Sequence, residues 1–236
     1  MSVSHPVGRP AQPPVAILVH GFPSGTVDAA KIGADLPELA DRIATTMGWQ
    51  AICPRLRGCG KSEGDFSLAG WVADVDEAVA YSDATFPGSP IWIVGFGTGG
   101  AVGLMSASHS PSVQGASVLA TPADFDDWAN RPDQLIVHSR KVNVIKDPKF
   151  PQDRKGWRSE LQRMSTVEAA RRFADKPLLV LHGSEDELVP PLDARAVADA
   201  HAGADLRIIN GAGHQLRHDP RALAMLLGWL DRHSQS

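Results

Sequence analysis

Apolar residues along this chain follow two rhythms. Short, mostly apolar runs at 15–19 (VAILV), 50–54 (QAICP), 91–94 (IWIV), 116–120 (ASVLA), 178–181 (LLVL) and 206–209 (LRII) read as strands buried on both faces of a parallel sheet. Between them lie stretches whose apolar positions recur three and four apart. These predict helices over 35–47, 68–84, 191–201 and 220–232, with another opening at 101. In the second, Trp71, Val75, Ala78 and Val79 share one face. Strand and helix alternate nearly throughout. That pattern predicts an α/β fold built on a mostly parallel, doubly wound sheet of about six strands. The first strand begins close to the N-terminus, so there is little room for a leading hairpin. Residues 1–14 are Pro-rich and read as a flexible segment, and 15–236 as a single domain.

The alternation breaks once, over about 122–176. This stretch carries Trp128, Phe150, Trp157, several prolines and mixed charges. It reads as a small helical cap inserted between two strands. Inserted caps commonly cover a site, and the three aromatic residues are candidates for an apolar pocket lining.

Composition narrows the function classes. The chain has 236 residues, 43% hydrophobic and 21% charged, with a formal net charge of -4. No run of Lys and Arg points to nucleic acid, and no apolar stretch is long enough to span a membrane. No signal-peptide core stands at the N-terminus, so the expected compartment is the cytoplasm. Cys53 and Cys59 are not spaced as a zinc ribbon or redox pair, and read as reduced thiols. No metal and no cofactor is expected.

Four strand ends carry the candidate chemistry. His20-Gly21-Phe22-Pro23 follows the first run. Gly95-Phe96-Gly97-Thr98-Gly99-Gly100 lies between the 91–94 strand and a helix. His182-Gly183-Ser184-Glu185-Asp186 follows the 178–181 strand, and Gly211-Ala212-Gly213-His214 follows the last one. Asp186 is the best acid there, Glu185 and Glu187 reading as solvated. His201, His218 and His233 read as surface residues, and His20 as structural. The glycine cluster also spells G-x-G-x-x-G, the dinucleotide fingerprint. The acid expected after the next strand is not in place, and the motif sits in mid-chain.

Together with the Arg57-Gly58-Cys59-Gly60-Lys61-Ser62 loop, these motifs resemble the α/β-hydrolase superfamily. The resemblance is to its small serine-hydrolase branch of esterases and S33-type peptidases, and covers nearly the whole chain. It implies Asp186 as acid, His214 as base, and the amides of Phe22 and Thr98 as an oxyanion hole. It puts the nucleophile at Gly97, which has no side chain to attack with. Thr98 stands one residue late, and Cys59 is no better placed. Three readings follow. The first is a non-standard esterase-like hydrolase or lyase that uses His214 as base. The second is a non-catalytic relative that binds a small apolar ligand or a partner protein. The third is an active serine hydrolase in which the serine was deliberately replaced. The expected ligand is a small, apolar acyl compound. Oligomeric state is left open.

Overall fold

The computed structural model describes residues 1–6, 12–25, 27–173 and 175–234. Its centre is a seven-stranded sheet in the order β1-β3-β2-β4-β5-β6-β7. The strands are β1 (Ser2–Ser4), β2 (Val15–Val19), β3 (Gln50–Cys53), β4 (Ile91–Phe96), β5 (Val113–Leu119), β6 (Leu178–Gly183) and β7 (Asp205–Ile209). Strands β2 to β7 run parallel.

To the roughly six strands expected, Ser2–Ser4 within the 1–14 segment adds one more, antiparallel, pairing Ser2 with Cys53 and Ser4 with Ala51. A three-residue strand of alternating Ser and Val carries too little pattern to be read. It covers the edge of β3 that would otherwise stand open.

Side chains alternate across the strands. Val15, Ile17, Val19, Ile91 and Ile93 face one core. There α2 (Leu68–Thr85), α3 (Thr98–His109), α7 (Thr166–Arg172) and α8 (Pro191–His201) pack on the sheet. Ala16, Leu18, Trp92, Val94, Leu179 and Leu181 face the other core. It is closed by α1 (Leu36–Met47) and α9 (Pro220–Ser234). Strand runs apolar on both sides are thus explained by helices on both sides.

From β2 the chain steps to β3 on one side, then crosses back to β4 on the other. The loops that leave β2 and β4 therefore diverge to opposite faces. The crevice between them, at the carboxyl ends of the strands, is where such sheets bind ligands.

The cap is smaller than the expected 122–176. Helices α4 (Asp126–Asn130), α5 (Pro132–Lys141) and α6 (Arg154–Arg163) form it. Its base is closed by an antiparallel bridge between Asp124 and Ser165. The amides of Thr166 and Val167 both donate to the Ala123 carbonyl. Beyond that clasp, α7 packs beside α3 and α8 and belongs to the sheet's helical layer. The Ser165 hydroxyl accepts from the Glu168 amide and caps α7, which marks the boundary.

Candidate functional site

The turn from β4 into α3 sets the centre. Gly97 has φ 54° and ψ −126°, a conformation that costs an L residue strain and glycine little. Its amide donates to the Leu119 carbonyl at 2.8 Å, and its carbonyl accepts from Gly100 at 2.9 Å. The neighbouring glycine has a packing reason. A Cβ on Gly99 would stand 2.2 Å from the His20 carbonyl oxygen. So the helix start touches the loop after β2, and only a bare backbone fits between them.

Two loops bring Asp186 and His214 together. Asp186 is buried beyond β6, and His214 comes from the loop after β7. His214 Nδ1 lies 2.9 Å from Asp186 Oδ2 and 3.2 Å from Oδ1. The carboxylate also accepts from the Leu188 and Val189 amides, both at 2.9 Å. His182 Nε2 lies 2.9 Å from the Val189 carbonyl and 3.3 Å from Asp186 Oδ2. Burial pushes the Asp186 pKa up, but hydrogen bonds from His182, His214 and the Val189 amide outweigh it. They hold this carboxyl well below the usual carboxylate range. An ionised Asp186 keeps the proton of His214 on Nδ1 and leaves Nε2 as a bare acceptor. That nitrogen faces the turn at Gly97, the elbow: a Cβ built there would lie 3.6 Å from it.

The Phe22 amide has no acceptor among the described residues. The Thr98 amide opens α3, where no helical carbonyl precedes it. Phe22, Gly97, Thr98 and His214 share the wall of one cavity of about 670 Å³, within the range for small-molecule sites. Its floor is the elbow. Its roof is the start of the cap, including Phe125, Trp128 and Leu135.

His20 holds the loop behind Phe22. Its Nδ1 pairs with the Gly21 carbonyl at 3.0 Å, and its Nε2 accepts from the Leu56 amide at 3.3 Å. Burial pushes its pKa down to about 4, so the ring is neutral. From the cap, His138 Nε2 lies 3.0 Å from the Pro23 carbonyl and ties α5 to the same loop. In the 57–62 loop, Arg57 forms a bidentate pair with Asp74, Nη2 to Oδ1 at 2.7 Å and Nε to Oδ2 at 3.2 Å. Cys59 is fully buried, and burial pushes its thiol up to about 12. That loop is a brace, and its thiol is no nucleophile.

Of the residues expected at the site, Phe22, Gly97, Thr98, Trp128 and His214 reach the cavity wall, with Asp186 behind His214. Trp157 and Phe150 do not. Trp157 is buried within the cap and meets Phe150 edge-on, with ring centroids 6.5 Å apart. Trp157 belongs to the main hydrophobic core on this side of the sheet, with Phe150 packed against it. His201 is also not a surface residue: it is buried, with Nε2 at 2.9 Å from the Lys176 carbonyl. His218 is exposed as expected. Neither His182 nor His138 was assigned a role from the sequence. His182 stands four residues before Asp186 at the end of a buried strand, which is a signal in hindsight. His138 carries none, because only the folded cap brings it to Pro23.

Residues 16–226 match the family model described as "Alpha/beta hydrolase family". No curated protein matches the sequence. Among solved structures, the chain resembles ferulic acid-bound Est1E from Butyrivibrio proteoclasticus at 20% identity and a TM-score of 0.73, over 99% of this chain and 93% of that one. It resembles a putative non-heme bromoperoxidase, BpoC, from Mycobacterium tuberculosis at 21% identity and a TM-score of 0.66, over 95% and 93%. An alpha-beta serine hydrolase homologue from Coxiella burnetii shares 19% identity with a TM-score of 0.60, over 98% and 89%. At such identities the likeness is one of fold. Among the described residues no helix is long and apolar enough to cross a membrane.

Proposed function

Because the chain belongs to the alpha/beta hydrolase family, we propose that it is a hydrolase of small acyl compounds, esters first, that works without an acyl-enzyme at position 97. One observation carries this reading. His214 is set up as a base by Asp186, and its free Nε2 points at the position a side chain on Gly97 would occupy, 3.6 Å away. The base is therefore aimed where a serine hydroxyl stands in serine hydrolases, and the residue there has no hydroxyl.

The remaining parts suit acyl transfer to water. The Phe22 and Thr98 amides bind the oxygen on which charge develops. The apolar wall that includes Trp128 and Leu135 holds the acyl or alcohol portion. Loss of the nucleophile from a triad leaves binding and the oxyanion hole, which in proteases still exceed water by ~10³–10⁴. Turnover is expected to be slow on that scale. The cytoplasmic assignment and the likeness to the esterase and S33-type branch belong to the same reading.

The test is hydrolysis of short-chain p-nitrophenyl esters by the unmodified chain and by His214→Ala. A drop to background in the variant supports the reading, and equal turnover refutes it. Gly97 itself favours a second reading, a ligand-binding relative without turnover. Tight binding of an acyl ligand that is recovered intact after long incubation identifies that case.

A further inference from the structure

We infer that the site binds one catalytic water between His214 and the main-chain carbonyl of Ala120. This deepens the hydrolase reading above and rests on it. Ala120 follows β5 and lies beside the elbow. It is a non-glycine residue at φ 52°, in the left-handed region that favours glycine. It is buried, 2% exposed. Its amide is used by the Leu181 carbonyl, but among the described residues no donor reaches its own carbonyl oxygen. A buried carbonyl without a donor is uncommon, and water is its usual partner.

That oxygen faces the elbow. A Cβ on residue 97 would lie 3.9 Å from it and 3.6 Å from His214 Nε2, and no other side chain comes as near. Two acceptors thus converge on the place that a side chain at position 97 would fill. A water brings two donors. One O–H is given to Nε2 and the other to the Ala120 carbonyl, at hydrogen-bond lengths of roughly 2.7–3.0 Å. Its free lone pair is then left to face the acyl carbon. The strained turn at Ala120 has a use in this arrangement, because relaxing φ would swing the carbonyl away.

The step balances without further reactants. The water oxygen attacks the acyl carbon and forms the new C–O bond. The proton shared with His214 passes to Nε2, and the carbonyl electron pair moves onto the oxygen held by Phe22 and Thr98. The tetrahedral intermediate collapses and breaks the bond to the alcohol oxygen. That oxygen takes the proton back from Nε2. The products are the carboxylic acid and the alcohol, and the Ala120 contact holds the hydroxyl that stays with the acid.

Gly97→Ala puts a methyl group in the water's place. With p-nitrophenyl esters, its kcat is expected to fall about 100-fold or more while KM stays near that of the unmodified chain. If Gly97→Ala stays within about threefold while His214→Ala is inactive, the water site is wrong and the hydrolase reading stands. If His214→Ala is fully active, the hydrolase reading itself falls. An alanine at φ 54° is strained and lowers folding stability, so two measurements on the unmodified chain decide independently. Its mass, quenched during turnover, is expected to be unchanged, and an acylated mass overturns the proposal. A crystal structure is expected to hold a water bonded to both His214 Nε2 and Ala120 O, and an ordered site without that water overturns it as well.

Discussion

His20 makes the protein sensitive to acid in a window that can be worked out. Burial holds its pKa at about 4, against an ordinary value of 6.5. The ring is locked neutral by its two contacts: Nδ1 donates to Gly21, and Nε2 accepts from Leu56. A proton on Nε2 would abolish the second bond and bury a charge. Below pH 6.5 the unfolded chain takes up this proton, while the folded chain does so only near pH 4. Unfolding therefore binds protons in this window, and stability falls as pH falls. Each pH unit is worth about 1.4 kcal/mol. The loss is about 2 kcal/mol at pH 5 and about 3 kcal/mol at pH 4, relative to pH 7.5. The assay is urea unfolding of the unmodified chain and of His20→Gln at pH 7.5 and 5, both measured under two-state conditions. The variant starts less stable but should lose about 2 kcal/mol less between the two pH values. Equal pH dependence in both proteins would show that His20 is not the buried neutral group described, and that the loop behind Phe22 is held otherwise.

Other outcomes follow from the same geometry. Asp186→Asn keeps an oxygen for the Leu188 and Val189 amides but turns an N–H toward His214, which moves the imidazole proton to Nε2; kcat is expected to fall ~10²–10⁴-fold in ester assays. The depressed Asp186 pKa adds stability that is present above the ordinary value of 3.8 and is lost as pH falls through the lower folded value, which acid titration of the two proteins separates. Trp128→Ala removes part of the cavity wall and should raise KM, while also lowering the melting temperature because its ring packs on Phe22, Phe66 and Phe125. Trp157→Ala opens a cavity where α6 joins the main core and should cost about 3–5 kcal/mol in urea unfolding, with KM nearly kept. Burial pushes the thiols of Cys53 and Cys59 up to about 11 and about 12; a thiol-specific disulfide reagent at pH 8 should label neither in the native state and both after unfolding.

The two-sided sheet was legible because its central strands β2 and β4 are apolar throughout and the helices flanking them are long. Val15–Val19 needs no alternation to be read, since both of its faces meet helices. β1 was not legible, because Ser2–Ser4 is strand-like only through its partner β3. At the site, Asp186 and His214 were readable from glycine-flanked loops at strand ends, and the structure brings them together at 2.9 Å. Phe150 and Trp157 misled because an aromatic residue in a cap has the same sequence signature whether it faces a ligand or its own neighbours. The Ala120 carbonyl was invisible, since a backbone atom and its φ leave no mark on residue identity. The cap's far boundary was missed for a similar reason: α7 looks like the helices before it and differs only in what it packs against.

The clasp at Asp124 and Ser165 also bears on how such a protein changes over generations. The two ends of the cap leave the sheet side by side, joined by one bridge and by two amides that share the Ala123 carbonyl. A segment that departs and returns at one point can be lengthened, shortened or exchanged without shifting any strand, provided that its docking surface is rematched. The loops bearing Gly97, Asp186 and His214 lie outside it. Ligand preference can therefore drift by cap exchange while the chemistry stays in place, or the chemistry can lapse at a single position while the same ligand is still received.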